Sequence, residues 1–125
     1  MVIVILGVLA AVAIPKFVDL KADAQQASMQ GVAGAAASAS AINYGGCSIA
    51  TAASAPTKCK AVNTCKSVET VLSGGAFPTG YTAASTTTEL AAAATSNGET
   101  RTCKLTLAGY TASPDVTFEV IGAGN

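Results

Sequence analysis

The four cysteines are the residues whose chemistry is most restricted by their spacing: Cys47, Cys59, Cys65 and Cys103. The intervals match no zinc-binding pattern, and the chain has no histidine, so a zinc site would need four thiolates at unusual spacing. An even number of cysteines in a small exported domain indicates two disulfides, whereas four free buried thiols are typical of a cytosolic protein. The apolar N-terminal run described below favours export, so we predict two disulfides.

The predicted pairs are Cys47–Cys59 and Cys65–Cys103, one of the three connectivities that four cysteines allow. The pattern of residues 57–72 is helical, and in a helix Cys59 and Cys65 stand about 240° apart around the axis. They then cannot bridge each other, which removes one connectivity. Of the two that remain, we favour the one in which Cys47 and Cys59 close a local loop and Cys65 meets an inward-facing Cys103.

No other set of side chains suggests catalysis or ligand binding. Without histidine, Ser-His-Asp and Cys-His arrangements are excluded, and no glycine-rich phosphate loop precedes a helix. The carboxylates after the first third are too scattered for a calcium loop: Glu69, Glu89, Glu99, Asp115 and Glu119. A second set, which could gather near the disulfides, is better explained as solvated surface charge: Lys58, Lys60, Lys66, Arg101 and Lys104. We therefore predict that the chain is not an enzyme and uses no cofactor or metal.

The composition favours a subunit that associates with copies of itself. Of the 125 residues, half are hydrophobic but mostly alanine, 5% are aromatic and 11% are charged, with seven basic and seven acidic side chains. A net charge of zero argues against nucleic-acid binding and leaves little repulsion between copies. The length predicts one compact unit carried on an extended helix. We place the helix at residues 1–45 and a globular head at residues 46–125.

The element that must position everything else is the apolar run at residues 2–14. As a helix it is roughly 21 Å long, whereas a membrane span needs about 20 residues. It could be a signal peptide cut near Ala13, although no basic segment precedes it. It could be a helix in a soluble core, although nothing else in the chain is apolar enough to surround it. The third interpretation is a membrane and filament helix, which we favour because the helical pattern continues after residue 14.

This continuation predicts an amphipathic helix with a small-residue face. The predicted apolar face steps by three and four residues: Phe17, Leu20, Ala24, Ala27, Gly31, Ala35, Ser38 and Ile42. A polar face lies opposite: Lys16, Asp19, Asp23, Gln26 and Gln30. Alanine alone could reflect helix propensity, but Gly31 and Gly34 each cost about 1 kcal/mol in an exposed helix, which close packing would explain. Gly7 and Pro15 predict a bend or local unwinding.

Residues 2–17 read VIVILGVLAAVAIPKF. This segment resembles the N-terminal helix of type IV pilins, and most closely the mannose-sensitive haemagglutinin branch, which shares the Pro-Lys-Phe ending. The resemblance implies a precursor in the inner membrane, processed by a dedicated peptidase, methylated, and passed by the pilus assembly machinery into an extracellular fimbrium of identical subunits. The implied assembly residues are Val2, Ile3, Ile5, Gly7, Val8, Leu9, Val12, Ile14, Pro15, Phe17 and Leu20.

The family's cleavage motif and the glutamate near its mature N-terminus are expected before Val2, so we interpret the sequence as N-terminally truncated. The head is predicted to contain a helix at residues 57–72, a loop or short edge strand that starts at residues 80–82, and a hairpin at Asn97-Gly98. Residues 90–95 would form the near strand of that hairpin. Residues 103–107 and 116–120 alternate as strands, with a turn at residues 109–114. The fold class is therefore α+β, with the long helix packed on an antiparallel sheet of three or four strands.

Three function classes follow from this fold. The favoured one is a major pilin for attachment or motility. A minor pilin or pseudopilin of a secretion machine would be far less abundant in sheared surface material. A soluble periplasmic binding module, released by cleavage at Ala13, would have Ile14 as its mature N-terminus.

Overall fold

The structure is a computed structural model that describes residues 1–86 and 97–125, apart from the side chains of residues 12–19. Helix α1 (Val2–Cys47) is followed by a short 3-10 helix (Ser67–Val71) and three strands. The strands are β1 (Tyr81–Ser85), β2 (Thr100–Leu107) and β3 (Val116–Ile121). This α+β arrangement of a long N-terminal helix and an antiparallel sheet confirms the predicted fold class. The domain division at residue 45 stays a prediction.

Helix α1 is one uninterrupted helix that includes both Gly7 and Pro15. The local unwinding predicted at these residues is therefore absent from the isolated subunit. The helix extends past its predicted end at residue 45 and ends at Cys47, so Gly45 and Gly46 lie in its last turn. At Gly46 a Cβ would overlap the Lys58 carbonyl oxygen, whereas a Cβ at Gly45 would meet no atom within 4 Å.

The sheet has the order β1-β2-β3, and both pairings are antiparallel. On β2 the side chains of Cys103 and Leu105 are buried, and on β3 those of Val116, Phe118 and Val120 are buried. This alternation confirms the two predicted strands and their inward faces. Of the two alternatives predicted from residues 80–82, a loop or a short edge strand, the structure has the strand, because β1 lies at the edge of the sheet. The predicted strand at residues 90–95 lies outside the described residues.

The sheet packs on the C-terminal half of α1, as predicted, but through a different face of the helix. The buried positions of α1 are Met29, Ala33, Ala36, Ser40 and Asn43. The face predicted to be apolar is exposed wherever its side chains are described: Leu20, Ala24, Ala27, Gly31, Ala35, Ser38 and Ile42. The two faces differ by about two residues, or 200° around the helix. The spacing by three and four residues was predicted correctly, but the wrong face of α1 was assigned to the core. The covered face differs from the predicted one because it includes polar side chains that hydrogen-bond the head.

The predicted helix at residues 57–72 is wrong except for its last turns. Residues 51–66 form turns and an isolated bridge between Val62 and Ala123. Ser67 Oγ accepts hydrogen bonds from the backbone N–H groups of Asn63 and Thr64, and the Ser67 N–H donates to Thr64 Oγ1. Such local side-chain bonds compete with helical hydrogen bonds. Helical structure therefore begins only at Ser67.

Candidate interaction surfaces

The first half of α1 presents large apolar side chains to solvent. We call residues 2–24 the stem. Ile3 is 85% exposed and Leu9 is 62% exposed, and a Cβ added at Gly7 would meet no atom within 4 Å. The other exposed large apolar residues of the stem are Val2, Val4, Ile5, Leu6, Val8 and Leu20. The side chains of Val12, Ile14, Pro15 and Phe17 lie outside the described residues.

Among the helices in the described part of the chain, no candidate for a membrane-spanning segment is found, because none has both the length and the hydropathy that such a segment needs.

The head first contacts α1 at Gln26. Its Nε2 donates to the Pro114 carbonyl at 2.9 Å, and its Oε1 accepts a hydrogen bond from the Tyr110 hydroxyl at 3.0 Å. Two residues later, the hydroxyls of Ser28 and Tyr81 are hydrogen-bonded at 2.9 Å. Gln25 is also the first residue after the masked side chains that is partly shielded from solvent. The stem therefore ends at residue 24, and residues 25–47 form the head-covered half of α1.

The other end of α1 is fixed to the segment around Cys59. Buried Asn43 donates from Nδ2 to the Lys60 carbonyl at 2.9 Å, and its Oδ1 accepts the Lys60 N–H at 2.8 Å. Buried Ser40 Oγ accepts the Ile121 N–H at 2.8 Å. A Cβ on Gly46 would overlap the Lys58 carbonyl oxygen, so glycine permits this approach. Ser40 and Asn43 were not predicted to be buried. The one indication in the sequence is that they continue, at helical spacing, the positions of Met29 and Ala36.

Both predicted disulfides are present in the structure, with the predicted connectivity. Cys47 and Cys59 have a Cα–Cα distance of 4.7 Å, and Cys65 and Cys103 are 5.7 Å apart. The reasoning behind the prediction was only partly right, because residues 57–66 are not helical. What separates Cys59 from Cys65 is the Val62–Ala123 bridge between them, while Cys65 joins the core beside β2.

A groove of about 700 Å³ runs along α1 between Val32 and Asn43. One wall is the helix itself, with Val32, Ala35, Ala39 and Ile42. The opposite wall has a basic end and an apolar end. Lys58 and Lys60 lie at the end beside Asn43 and Gly46. Leu72, Ala76 and Pro78 are apolar residues of this wall, and Pro78 lies toward Ser28, since its carbonyl accepts the Tyr81 N–H and the Tyr81 hydroxyl is hydrogen-bonded to Ser28. We call this the lysine groove.

A second groove of about 390 Å³ lies on the other side of α1, against β3. Gln26, Gln30 and Gly34 form its helix wall, and Pro114 and Asp115 contribute from the segment before β3. It is smaller than the lysine groove and carries a carboxylate at its edge.

The basic residues divide between the two ends of the head. Arg101 pairs with Glu99, and Lys104 Nζ lies 2.8 Å from Asp115 Oδ1. Lys58, Lys60 and Lys66 are exposed and form none of the ion pairs seen among the described residues. The five predicted basic residues therefore do not form one cluster. Only Lys58 and Lys60 share a groove.

The described residues contain no group of three or more metal-ligating side chains, and none of their buried side-chain polar atoms lacks a hydrogen-bond partner. Comparisons with known protein families, with curated proteins and with solved structures find no match for this chain.

Proposed function

We propose that the chain is the structural subunit of a type IV pilus-like surface filament that polymerises through its N-terminal helix. The observation that carries the proposal is the stem, a continuous helical segment whose large apolar side chains have no cover among the described residues. Contiguous exposed apolar surface of this kind marks an interaction site. The resemblance of residues 2–17 to pilin helices supplies the kind of assembly.

Covering the stem provides free energy that favours assembly. Burying a Val, Leu or Ile side chain is worth about 1.5–3 kcal/mol. The seven exposed ones before residue 10 therefore provide on the order of 10 kcal/mol per subunit if copies cover them fully: Val2, Ile3, Val4, Ile5, Leu6, Val8 and Leu9. The net charge of zero adds little repulsion against this association.

The head suits an exported subunit, because two disulfides form and persist in oxidising compartments. The proposal also includes an inner-membrane precursor, the pilus assembly machinery and a final place in an extracellular fimbrium for attachment or motility. These steps rest on the resemblance alone.

The first test removes the stem and keeps the head intact. A chain beginning at Gln25 retains the hydrogen bonds of Gln26 to Pro114 and Tyr110. We expect it to be monomeric by light scattering, whereas the full chain forms fibres visible by negative-stain electron microscopy when detergent is removed. Fibres from the shortened chain would contradict the proposal.

A matched pair of substitutions places one charge in the stem and one in the head. Val8 is 61% exposed and Ile49 is 82% exposed, so neither change removes packing within the subunit. We expect Val8→Asp to abolish fibres, because an unpaired charge between apolar stems is costly. Ile49→Asp should leave fibres unchanged. Equal assembly by both variants would show that the stem is not the assembly element.

A further inference from the structure

We propose that the Cys47–Cys59 bridge is a reversible redox site of the folded head, reduced by an external dithiol that attacks Cys47 Sγ. Buried Asn43 is the positioning residue that keeps the two reduced thiols close together, so that the bridge closes again. The Cys65–Cys103 bridge has no such role, because the folded head shields it. This inference does not depend on the proposed filament.

Burial distinguishes the two bridges. Cys65 is 2% exposed and Cys103 is fully buried, and both belong to the core cluster. Cys59 is 1% exposed, so Cys47 is the only one of the four cysteines that solvent reaches in part. Thiol–disulfide exchange needs direct contact between the attacking thiolate and one sulfur of the bridge. A dissolved dithiol therefore reacts at Cys47 while the head is folded, whereas the other bridge reacts only when the core opens.

The exchange takes place in two balanced steps. The first thiolate of the dithiol bonds to Cys47 Sγ, the bond between Cys47 and Cys59 breaks, and Cys59 leaves as a thiolate that takes a proton from water. The second thiolate then attacks the dithiol's own sulfur in this mixed disulfide, and Cys47 leaves as a thiolate and is protonated in turn. Two electrons pass from the dithiol to the bridge, and the dithiol departs as a disulfide.

The segment that follows Cys59 is held to the head independently of the bridge. Asn43 is 7% exposed, and its side chain forms two hydrogen bonds, of 2.9 Å and 2.8 Å, with the backbone C=O and N–H of Lys60. The Val62 N–H donates to the Ala123 carbonyl at 2.8 Å, and the Ala123 N–H donates back to the Val62 carbonyl at 3.1 Å. None of these four hydrogen bonds involves a cysteine, so we expect all of them to persist when the bridge opens.

Asn43 joins the same two parts of the chain as the bridge does. It lies four residues before Cys47 on α1, and its partner Lys60 directly follows Cys59. Cys47 Sγ is 3.8 Å from the Lys60 carbonyl oxygen, which can accept a weak hydrogen bond from the reduced thiol. The two reduced cysteines therefore keep a high effective concentration relative to each other. Because the bridge and the hydrogen bonds favour one arrangement, each stabilises the other.

Reduction then affects mainly the loop that the bridge closes, residues 48–58. The hydrogen bonds seen for this loop have their partners within residues 44–59, and none of its residues belongs to the core cluster. We expect opening of the bridge to loosen the loop, including Lys58 in the lysine groove, while the core stays packed.

The order of reduction tests which bridge is accessible. The full chain in mild detergent is treated with dithiothreitol, free thiols are alkylated at successive times, and peptide mapping assigns them. We expect Cys47 and Cys59 to be alkylated at least about tenfold faster than Cys65 and Cys103, because the buried bridge reacts only through opening of the core. Tyrosine fluorescence should remain that of the folded head during the faster reaction. Equal rates, or faster alkylation of Cys65 and Cys103, would overturn the proposal.

Substitution of Asn43 tests the positioning role. The equilibrium constant for closing the Cys47–Cys59 bridge is measured in mixtures of reduced and oxidised dithiothreitol. We expect Asn43→Ala to lower this constant roughly tenfold, since the reduced segments are no longer held together. Ser40→Ala is the matched control, because Ser40 is buried on the same helix face but bonds the Ile121 backbone. It should change the constant by less than about threefold.

The comparison between these variants separates positioning from general stability. If Asn43→Ala and Ser40→Ala lower the constant equally, Asn43 acts through the stability of the head, and the positioning role is wrong. Asn43→Gln moves both side-chain groups and replaces Asn43→Ala if that variant does not fold. An unchanged constant in the folded Asn43 variant would also overturn the positioning role. The order of reduction in the unchanged chain decides the accessible bridge in every case.

Discussion

The two halves of helix α1 have opposite relations between residue type and burial. The stem contains valine, isoleucine and leucine, and those whose side chains the structure describes, at residues 2–9 and at Leu20, are exposed. The head-covered half is rich in alanine, serine and glycine, and it provides the buried positions Ala33, Ala36 and Ser40. Burial in this subunit therefore follows distance from the sheet rather than hydropathy. The apolar segment of residues 2–11, as far as its side chains are described, is not covered by the subunit itself.

Small residues explain why the head-covered half can be buried without being strongly apolar. Alanine at positions 33 and 36 lets the helix axis approach the sheet closely, and Met29 is the large side chain that α1 contributes to the same core cluster. Asn43 and Ser40 then satisfy backbone groups that the approach removes from water. Over residues 2–11 and 20–24, the described side chains of the stem show no such contacts, so the large ones are available for another molecule.

The largest expected difference between the halves comes from a buried charge. Met29 is fully buried, and we expect Met29→Asp to cost more than about 4 kcal/mol of unfolding free energy, because an unpaired carboxylate enters the core. Leu9→Asp in the stem should change it by less than about 0.5 kcal/mol. Denaturant unfolding of the monomer in mild detergent measures both.

Tyrosine fluorescence makes this comparison specific to the head. The chain has no tryptophan, and its three tyrosines, Tyr44, Tyr81 and Tyr110, all lie outside the stem. If Leu9→Asp lowers the head's stability as much as Met29→Asp does, the two halves of α1 form one folding unit and the contrast between them fails.

The two disulfides should stabilise the head by different amounts. In the chain-entropy model, a bridge that closes 38 positions contributes about 4 kcal/mol and one that closes 12 contributes about 3 kcal/mol. We expect the pair Cys65→Ala and Cys103→Ala to be about 1 kcal/mol less stable than the pair Cys47→Ala and Cys59→Ala. Replacing both partners avoids a free thiol in either variant. If denaturant unfolding shows the variant without Cys47–Cys59 to be the less stable one, the bridge at the end of α1 contributes more than the bridge to β2.

The predictable parts of this fold are those specified by local alternation. Cys103 and Leu105 alternate with polar neighbours on β2, and Val116, Phe118 and Val120 do so on β3, so one face of each strand was identifiable. The disulfide connectivity was also predicted correctly. The bridge Cys65–Cys103 joins the segment before the 3-10 helix to the inward face of β2. Period-two alternation needs no knowledge of the partner strand, which is why it was informative.

The parts that failed depend on contacts between distant residues. Hydrogen bonds between the head and the side chains of Gln26, Ser40 and Asn43 help to decide which face of α1 meets the head. A hydropathy pattern assigns such residues to solvent. The helix predicted over residues 57–72 is absent from residues 57–66 for a similar reason. The Val62–Ala123 bridge and the serine and threonine hydrogen bonds around Ser67 replace the hydrogen bonds that a helix would form there.

The last prediction compares two glycines of the head-covered half, which share a helix but differ in their surroundings. Gly31 meets no atom within 4 Å of an added Cβ, so Gly31→Ala should stabilise the monomer by about 0.5–1 kcal/mol through helix propensity alone. Gly46→Ala should instead cost about 1–3 kcal/mol, because its Cβ would overlap the Lys58 carbonyl oxygen and the backbone must shift. Urea unfolding, followed by tyrosine fluorescence, distinguishes the two outcomes as midpoint shifts of opposite sign. Stabilisation by both changes would show that the segment around Lys58 moves freely, and the end of α1 would then not be fixed by close packing.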